Sequence, residues 1–326
     1  MRYRILGSSG IRVSEIGFGT WGLGGAAQGA VAYGATRDEE SIAAVRAACE
    51  RGVNFFDTSD FYGFGHSEEV LGKALRGMRA QVVIATKAGL LDASGAQDFS
   101  PAHLRRALEA SLERLGTDYV DLFQLHGPPV DLLVRQPEIM GCLEDLRRAG
   151  KLRAFGASVR SPDEGLVAVE RLGFGCIQAN FSLVDQRALE NGLLERCERL
   201  GAGLIARTPL CFGFLTGQYS AATKFDAYDH RNRWSAEQRE RWASALARFI
   251  SALRTRSSDT PAQFALRFCL SFPAVSSAIP GMLTEAHVAE NAAAGDLGPL
   301  DQGDLAALTQ VYREQAFFVE RVSAAS

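Results

Sequence analysis

Eight short apolar runs, each followed by a longer amphipathic stretch, recur along nearly the whole chain, and this alternation constrains the fold more than any other feature. The runs are Ile16 to Trp21, Asn54 to Ser59, Val82 to Lys87, Asp121 to His126, Ala154 to Ser158, Cys176 to Phe181, Gly203 to Leu210 and Ser276 to Gly281. Each is continuous rather than alternating, the pattern of parallel strands buried on both faces. The stretches between them carry helix punctuation. Thr36 before Arg37-Asp38-Glu39 reads as a capping box, with Gly52 closing that helix. Ser100-Pro101 opens another, whose Leu104, Leu108, Leu112 and Leu115 keep helical spacing until Gly116, and Ser161-Pro162 and Thr260-Pro261 repeat the cap-then-proline start. Parallel neighbours need such crossovers, and eight strands are the number that closes a barrel. A doubly wound open sheet is the main alternative, but it would leave edges to protect. The expected fold class is therefore α/β, a (β/α)8 barrel. Arg2 to Glu15 reads as an N-terminal β-hairpin around Ser8-Ser9-Gly10, and no linker composition divides residues 1–326, so a single domain is expected.

Composition narrows the partners. The 326 residues carry a net charge of −3 without a basic run, which argues against nucleic acid or an anionic membrane surface as the main partner. No apolar run approaches the ~18 residues a membrane helix needs, and MRYRILGSSG lacks the apolar core of a secretory signal. A cytoplasmic protein is the expectation. The six cysteines form no C-x-x-C pair and the five histidines no H-E-x-x-H, so neither a disulfide framework nor a metal site is expected.

In a parallel barrel the functional groups stand at the C-terminal ends of the strands. Strand two ends near Asp57, followed by Tyr62; strand three ends at Lys87 and strand four at His126. Each residue alone has an ordinary reading: a helix cap, a loop aromatic, a solvated lysine, a hydrogen-bonded core histidine. Together on neighbouring strand ends they suit proton transfer. A phenol titrates near ~10, a nearby ammonium stabilises its anion, and a carboxylate would hold the ammonium in place. A neutral imidazole could direct a substrate oxygen. With no nucleophile, metal or paired carboxylates, such a donor suits carbonyl reduction, and the hydride must come from a cofactor. Gly17-Phe18-Gly19-Thr20-Trp21-Gly22 matches G-x-G-x-x-G literally, but no helix opens at its third glycine. It reads instead as backbone room for a ligand. Ile279-Pro280-Gly281, running into a helix capped by Thr284, is a second candidate phosphate site.

These residues lie in motifs that resemble the aldo-keto reductases over nearly the full chain. The motifs are GFGTWG, Phe55 to Leu75, Val82 to Lys87, Ser111 to Pro128, Gly150 to Ser158, Pro209 to Tyr219 and Ala278 to Asn291, in order. The resemblance implies a TIM barrel closed at its bottom by the hairpin. It implies a catalytic tetrad of Asp57, Tyr62, Lys87 and His126, with Tyr62 protonating the nascent alkoxide after hydride transfer. It implies NADP(H), with NAD(H) as the other option, lying extended across the rim. Gly19, Thr20, Trp21 and Asp57 would border it, and Ser158 and Gln178 would hold the carboxamide. Arg207, Thr208, Pro209, Leu210, Gly213 and Leu215 would follow the ring and pyrophosphate; Ile279, Gly281, Leu283, His287, Glu290 and Asn291 would grip the adenosine end.

Four positions depart from the family pattern, in three places. Val159 stands where many members have asparagine, Arg207 where many stack tyrosine on the nicotinamide, and Leu283 and His287 where arginine is common. The last departure weakens the case for a bound 2′-phosphate. The functional expectation is an oxidoreductase acting on an aldehyde or ketone, with the loop from Cys211 to Ser235, Trp21 and Phe61 walling an apolar pocket. The alternative is a nicotinamide-binding regulatory subunit with little turnover. Neither the particular substrate nor the oligomeric state is legible in the sequence.

Overall fold

The computed structural model describes residues 1–26, 32–254 and 258–319. Two strands, β1 (Tyr3–Ile5) and β2 (Arg12–Ser14), form the antiparallel hairpin, with Tyr3 opposite Ser14 and Ile5 opposite Arg12. Its connection is wider than a tight turn, because Gly7–Ser9 adopt a 3-10 turn that ends on Gly10 in the left-handed region. Eight parallel strands follow: β3 (Phe18–Gly19), β4 (Phe55–Asp57), β5 (Val83–Ala88), β6 (Val120–His126), β7 (Leu152–Ser158), β8 (Cys176–Asn180), β9 (Gly203–Arg207) and β10 (Val275–Ala278). They pair in chain order, and parallel bridges Ile16 to Ala278 and Gly19 to Gly281 join the first strand to the last, giving the (β/α)8 barrel.

Several strands are shorter than their apolar runs. The run to Trp21 stops at Gly19 because Trp21–Gly24 turn into a 3-10 helix. The run to Leu210 stops at Arg207 because Thr208 takes a positive φ of 54°. In both cases the chain leaves the sheet at the rim where a ligand would approach.

The outer layer comprises α1 (Asp38–Glu50), α2 (His66–Ala74), α3 (Pro101–Leu115), α4 (Val130–Arg135), α5 (Pro137–Arg148), α6 (Pro162–Glu170), α7 (Arg187–Glu190), α8 (Leu193–Leu200), α9 (Ala236–Ala252), α10 (Pro261–Leu270), α11 (Glu285–Leu297) and α12 (Gln302–Glu314). The proline starts are as expected. Ser100, Ser161 and Thr260 accept from His103, Glu164 and Gln263 N–H groups, and Gln263 returns the bond to complete a capping box. The Thr36 capping box is not formed. Helix α1 begins at Asp38 behind an extended Arg37 that caps nothing, and Asp38, Glu39 and Glu40 supply the first-turn negative charge instead.

Two apolar clusters divide the interior. The larger lies between the outer strand faces and the helices; the smaller fills the barrel, where Leu6, Ile11 and Val13 of the hairpin meet Phe55, Val83, Leu122 and Ile205. The hairpin is thus a plug at the N-terminal ends of the strands. Arg4 fastens it, donating to Glu15 at 2.7 Å and to the carbonyls of Leu270, Phe272 and Val275 at 2.6, 3.0 and 2.7 Å. Arg2 shares the buried Glu15 carboxylate through two bonds of 3.0 and 2.9 Å. Among the described residues no helix is long and apolar enough to cross a membrane.

Arg4→Ala strips Glu15 of one cation and removes a donor from three carbonyls, of which Phe272 O keeps the Val275 N–H. A loss of about 2–4 kcal/mol is expected in urea denaturation. A change below about 0.5 kcal/mol would show that this arginine does not hold the plug.

Candidate active site

At the C-terminal rim the strand ends bring their polar groups together. Asp57, at the end of β4, is 1% exposed and accepts three bonds. Lys87 Nζ reaches its Oδ1 at 2.5 Å, while the side-chain amides of Gln124 and Gln178 reach Oδ2 at 3.1 and 2.8 Å. Lys87, on β5, has no exposed surface. Its other two hydrogens go to Thr58 O at 2.8 Å and Tyr62 Oη at 3.2 Å. Burial works against the Lys87 charge, but the Asp57 carboxylate and the Tyr62 oxygen outweigh it and hold the pKa above the ordinary lysine value. Because Tyr62 Oη accepts from Lys87, its own hydrogen stays free to be donated into the cavity.

Tyr62 stands on a 3-10 turn, Tyr62–Gly65, rather than on a strand. That turn lies hard against the first glycine run: a Cβ on Gly24 would fall 2.6 Å from Gly63 N, and one on Gly63 would fall 2.5 Å from Gly24 O. A Cβ on Gly17 would meet the Phe55 ring at 2.7 Å, and one on Gly22 the Leu283 side chain at 2.5 Å. Gly17, Gly22 and Gly24 therefore make room for neighbouring protein, a correction to their reading as ligand room, whereas Gly19, at the strand's end, lines the cavity as that reading expects. His126, ending β6, meets the Tyr62 ring edge-on at 5.9 Å and bonds Ser59 Oγ through Nδ1 at 3.0 Å. Burial first, then the Lys87 and Arg207 cations, push its pKa well below the usual histidine value, so the imidazole is neutral.

A cavity of about 370 Å³ opens beside this cluster. Of the expected residues, Gly19, Thr20, Trp21, Asp57, Tyr62, His126, Gln178, Arg207, Thr208, Pro209, Leu210, Gly213, Ile279, Gly281, Leu283, His287, Glu290 and Asn291 line it. Three do not. Lys87 lies behind Tyr62. Ser158 is 4% exposed and donates to Gln178 Oε1 at 3.2 Å, so it holds the amide rather than facing the cavity. Leu215 faces the strand–helix core with 0% exposure, because the 3-10 turn Cys211–Thr216 rotates it inward.

The loop from Cys211 to Ser235 walls the cavity as expected, through Phe212, Tyr219 and Arg231, together with Trp21 and Phe61; sequence reasoning missed Tyr33 and Leu90. Within the charged run Asp229 to Trp234, Asp229, His230 and Arg231 are folded in while Asn232 and Arg233 stay exposed. Arg231 is 7% exposed, pairs with Asp229, and packs its guanidinium against the rings of Phe225, Tyr219 and Tyr33 at 4.1, 4.7 and 5.0 Å. Its three aromatic neighbours were the only signal, and they are scattered in sequence. Positive φ values at Thr208, Cys211 and Phe212 (54°, 46° and 56°) place strained backbone along the same wall.

The donor set fits an extended dinucleotide. One end of the cavity holds the buried amide of Gln178 and Arg207, whose Nε has no partner among the described residues and whose Nη2 donates to Val159 O at 3.0 Å. The other reaches the first turns of α11, capped by Thr284. The two ends are bridged by the loop from Thr208 to Gly213.

Comparison with known proteins agrees. The model of the Aldo/keto reductase family matches residues 15–313. The chain is 34% identical over 289 residues to aldo-keto reductase YhdN of Bacillus subtilis, covering 86% of this chain and 85% of that protein. It is 30% identical to the NADH-specific methylglyoxal reductase of Escherichia coli, covering 97% and 98% of the two chains. Among solved structures, the holo form of aldo-keto reductase AKR11C1 from Bacillus halodurans superposes with a TM-score of 0.79 at 26% identity, covering 95% of this chain and 96% of that one.

Beside Ser59, Asp60 is half-buried, and burial first, then the Glu68 charge, raise its pKa to about 7. The folded protein therefore binds a proton that the unfolded chain releases near ~3.9, so this carboxyl costs stability progressively as pH rises from about 4 to about 7. Asp60→Asn is expected to raise stability by ~1–3 kcal/mol above neutral pH and to change little near pH 4. Parallel urea titrations across that range check it, and a pH-independent gain would refute the assignment.

Proposed function

The chain belongs to the aldo/keto reductase family, and on that premise we propose that it reduces an aldehyde or ketone, with Tyr62 as the proton donor. The observation that carries this reading is the saturation of Lys87. Every hydrogen of its ammonium is spoken for, one of them on Tyr62 Oη, which leaves the phenol hydrogen directed to the cavity. A bound nicotinamide cofactor supplies the hydride. Within this reading Gln178, oriented by Ser158 and Asp57, holds the carboxamide, and Arg207 lies beside the ring. Thr208, Pro209, Leu210 and Gly213 follow the pyrophosphate, and His287, Glu290 and Asn291 border the adenosine end.

Tyr62 gives its proton to the oxygen of the substrate as negative charge develops there. The Lys87 ammonium, fixed by Asp57, stabilises the phenolate left behind. His126, neutral, orients the same oxygen without competing as an acid. Trp21, Tyr33, Phe61 and Phe212 offer apolar and aromatic surface to the rest of the substrate, which favours a carbonyl carrying an apolar group. Tyr62→Phe is expected to lower carbonyl reduction by at least ~10², with little change in cofactor affinity. Turnover equal to the wild type would return the proton to His126. Wild-type protein that binds cofactor yet reduces nothing in a broad carbonyl panel would favour a regulatory role instead.

Both NADPH and NADH are proposed as cofactors. Leu283 offers a 2′-phosphate no charged contact, and Glu290 adds a carboxylate nearby, while the N-terminus of α11 still favours an anion. The expected NADPH preference in measured dissociation constants is below ~1,000-fold, about 4 kcal/mol, and Leu283→Arg should move the ratio toward NADPH. A larger preference in the wild type would overturn this reading of the adenosine end.

A further inference from the structure

We propose that Ser59 is a positioning residue for His126: it donates its hydroxyl hydrogen to Nδ1, placing the ring hydrogen on Nε2 toward the substrate oxygen, and Asp60 competes for that hydroxyl hydrogen. The inference rests on reading Tyr62 and His126 as the pair that meets the oxygen. Ser59 and Asp60 are both absent from the cavity wall, so neither touches substrate and both act through His126.

Hydrogen counting carries the argument. Ser59 Oγ accepts from the Phe61 N–H at 3.1 Å. Its own single hydrogen has three acceptors within reach: His126 Nδ1 at 3.0 Å, Asp60 Oδ1 at 3.2 Å and Lys87 O at 3.4 Å. The neutral imidazole likewise has one ring hydrogen. When Ser59 donates to Nδ1, that hydrogen must sit on Nε2, and His126 presents a donor to the cavity. When Asp60 takes the Ser59 hydrogen, Nδ1 must donate to Oγ instead, and Nε2 turns a lone pair toward the substrate oxygen. The two arrangements satisfy Ser59 equally and differ only in what His126 offers a ligand.

Asp60 decides between them. As a carboxylic acid it can donate to Ser59 Oγ and leave the hydroxyl hydrogen for Nδ1; as a carboxylate it attracts that hydrogen. The charged groups facing it are Glu68 from α2, which opposes its ionisation, and Arg114 from α3, which favours it but is itself paired with Glu68. Lys87 and Arg207 face His126 and keep the ring neutral throughout. Burial of Asp60 brings its titration to about pH 7, so the donor arrangement gives way as pH rises through neutrality.

The test reads the tautomer directly, in protein labelled with 15N-histidine and free of cofactor and substrate. Two-bond 15N–1H correlations are recorded between about pH 6 and pH 8.5, with the His126 signals identified by their loss in His126→Asn. The expected wild-type result is the Nε2–H form at the lower pH, drifting toward Nδ1–H as pH rises. Asp60→Asn should abolish the drift, Ser59→Ala should mix the tautomers, and Ser59→Thr, which keeps the hydroxyl, should restore Nε2–H. In carbonyl reduction Ser59→Ala should lose at least ~10-fold in kcat/KM near pH 6, and Ser59→Thr should recover most of it. A wild-type Nδ1–H form at low pH, or an unchanged tautomer in Ser59→Ala, overturns the proposal. A wild type with the expected tautomer but no carbonyl turnover supports the Ser59 assignment and overturns the functional reading instead.

Discussion

A lysine ammonium with no exposed surface is held inside the barrel at Lys87, and the organisation of the rim follows from what that charge requires. Removing such an ion from water costs several kcal/mol even after relaxation, and only a full set of well-placed acceptors offsets it. Asp57, Thr58 and Tyr62 provide them. Asp57 in turn is satisfied by Gln124 and Gln178, and Gln178 by Ser158. Side chains from five consecutive strands, β4 to β8, thus form one connected polar network. Such a network is rigid where its members are paired, since an unpaired group is costly in the same low-dielectric interior; Gln124 Oε1 is left without a partner among the described residues. The chemistry proposed for Tyr62 draws on a phenol placed by that network, not on any property of tyrosine alone.

Tyr62 is nonetheless off the sheet, and a second kind of constraint brings it in. Its turn packs on the Trp21–Gly24 turn at a separation that admits no Cβ at Gly24 or Gly63. Across the cavity, Thr208, Cys211 and Phe212 hold left-handed backbone, a conformation costing on the order of 1–3 kcal/mol per residue. Rigid strands carry the charge network, while close-packed and strained turns bring the side chains that a ligand meets. The opposite end of the barrel is organised for stability: the hairpin fills the strand bottoms, and Arg4 ties it to the end of α10 and the start of β10. The two ends share only the barrel interior, so loops at the rim can vary without disturbing the plug.

Much of this was legible in the amino-acid order. The alternation of buried runs with capped helices determined the parallel (β/α)8 topology, since continuous apolar strands need covering on both faces and parallel neighbours need crossovers. Proline after serine or threonine marked three helix starts, because the cap and the fixed φ are local effects. The convergence of Asp57, Lys87 and His126 followed from strand ends alone, given that all eight strands point the same way. Only the tertiary structure decided the rest. Leu215 turned into the core and Ser158 behind Gln178 because a turn's rotation depends on what packs beneath it. Thr36 lost its capping role to a start at Asp38, whose carboxylate is drawn to His66 and Lys73 on α2. Arg231 was folded among three aromatic rings from separate stretches of chain, an environment that no local pattern encodes. Periodicity and caps act within a few residues, so the sequence alone determined them; a side chain's final partners come from elements far apart in sequence, and only the closed barrel brings those together.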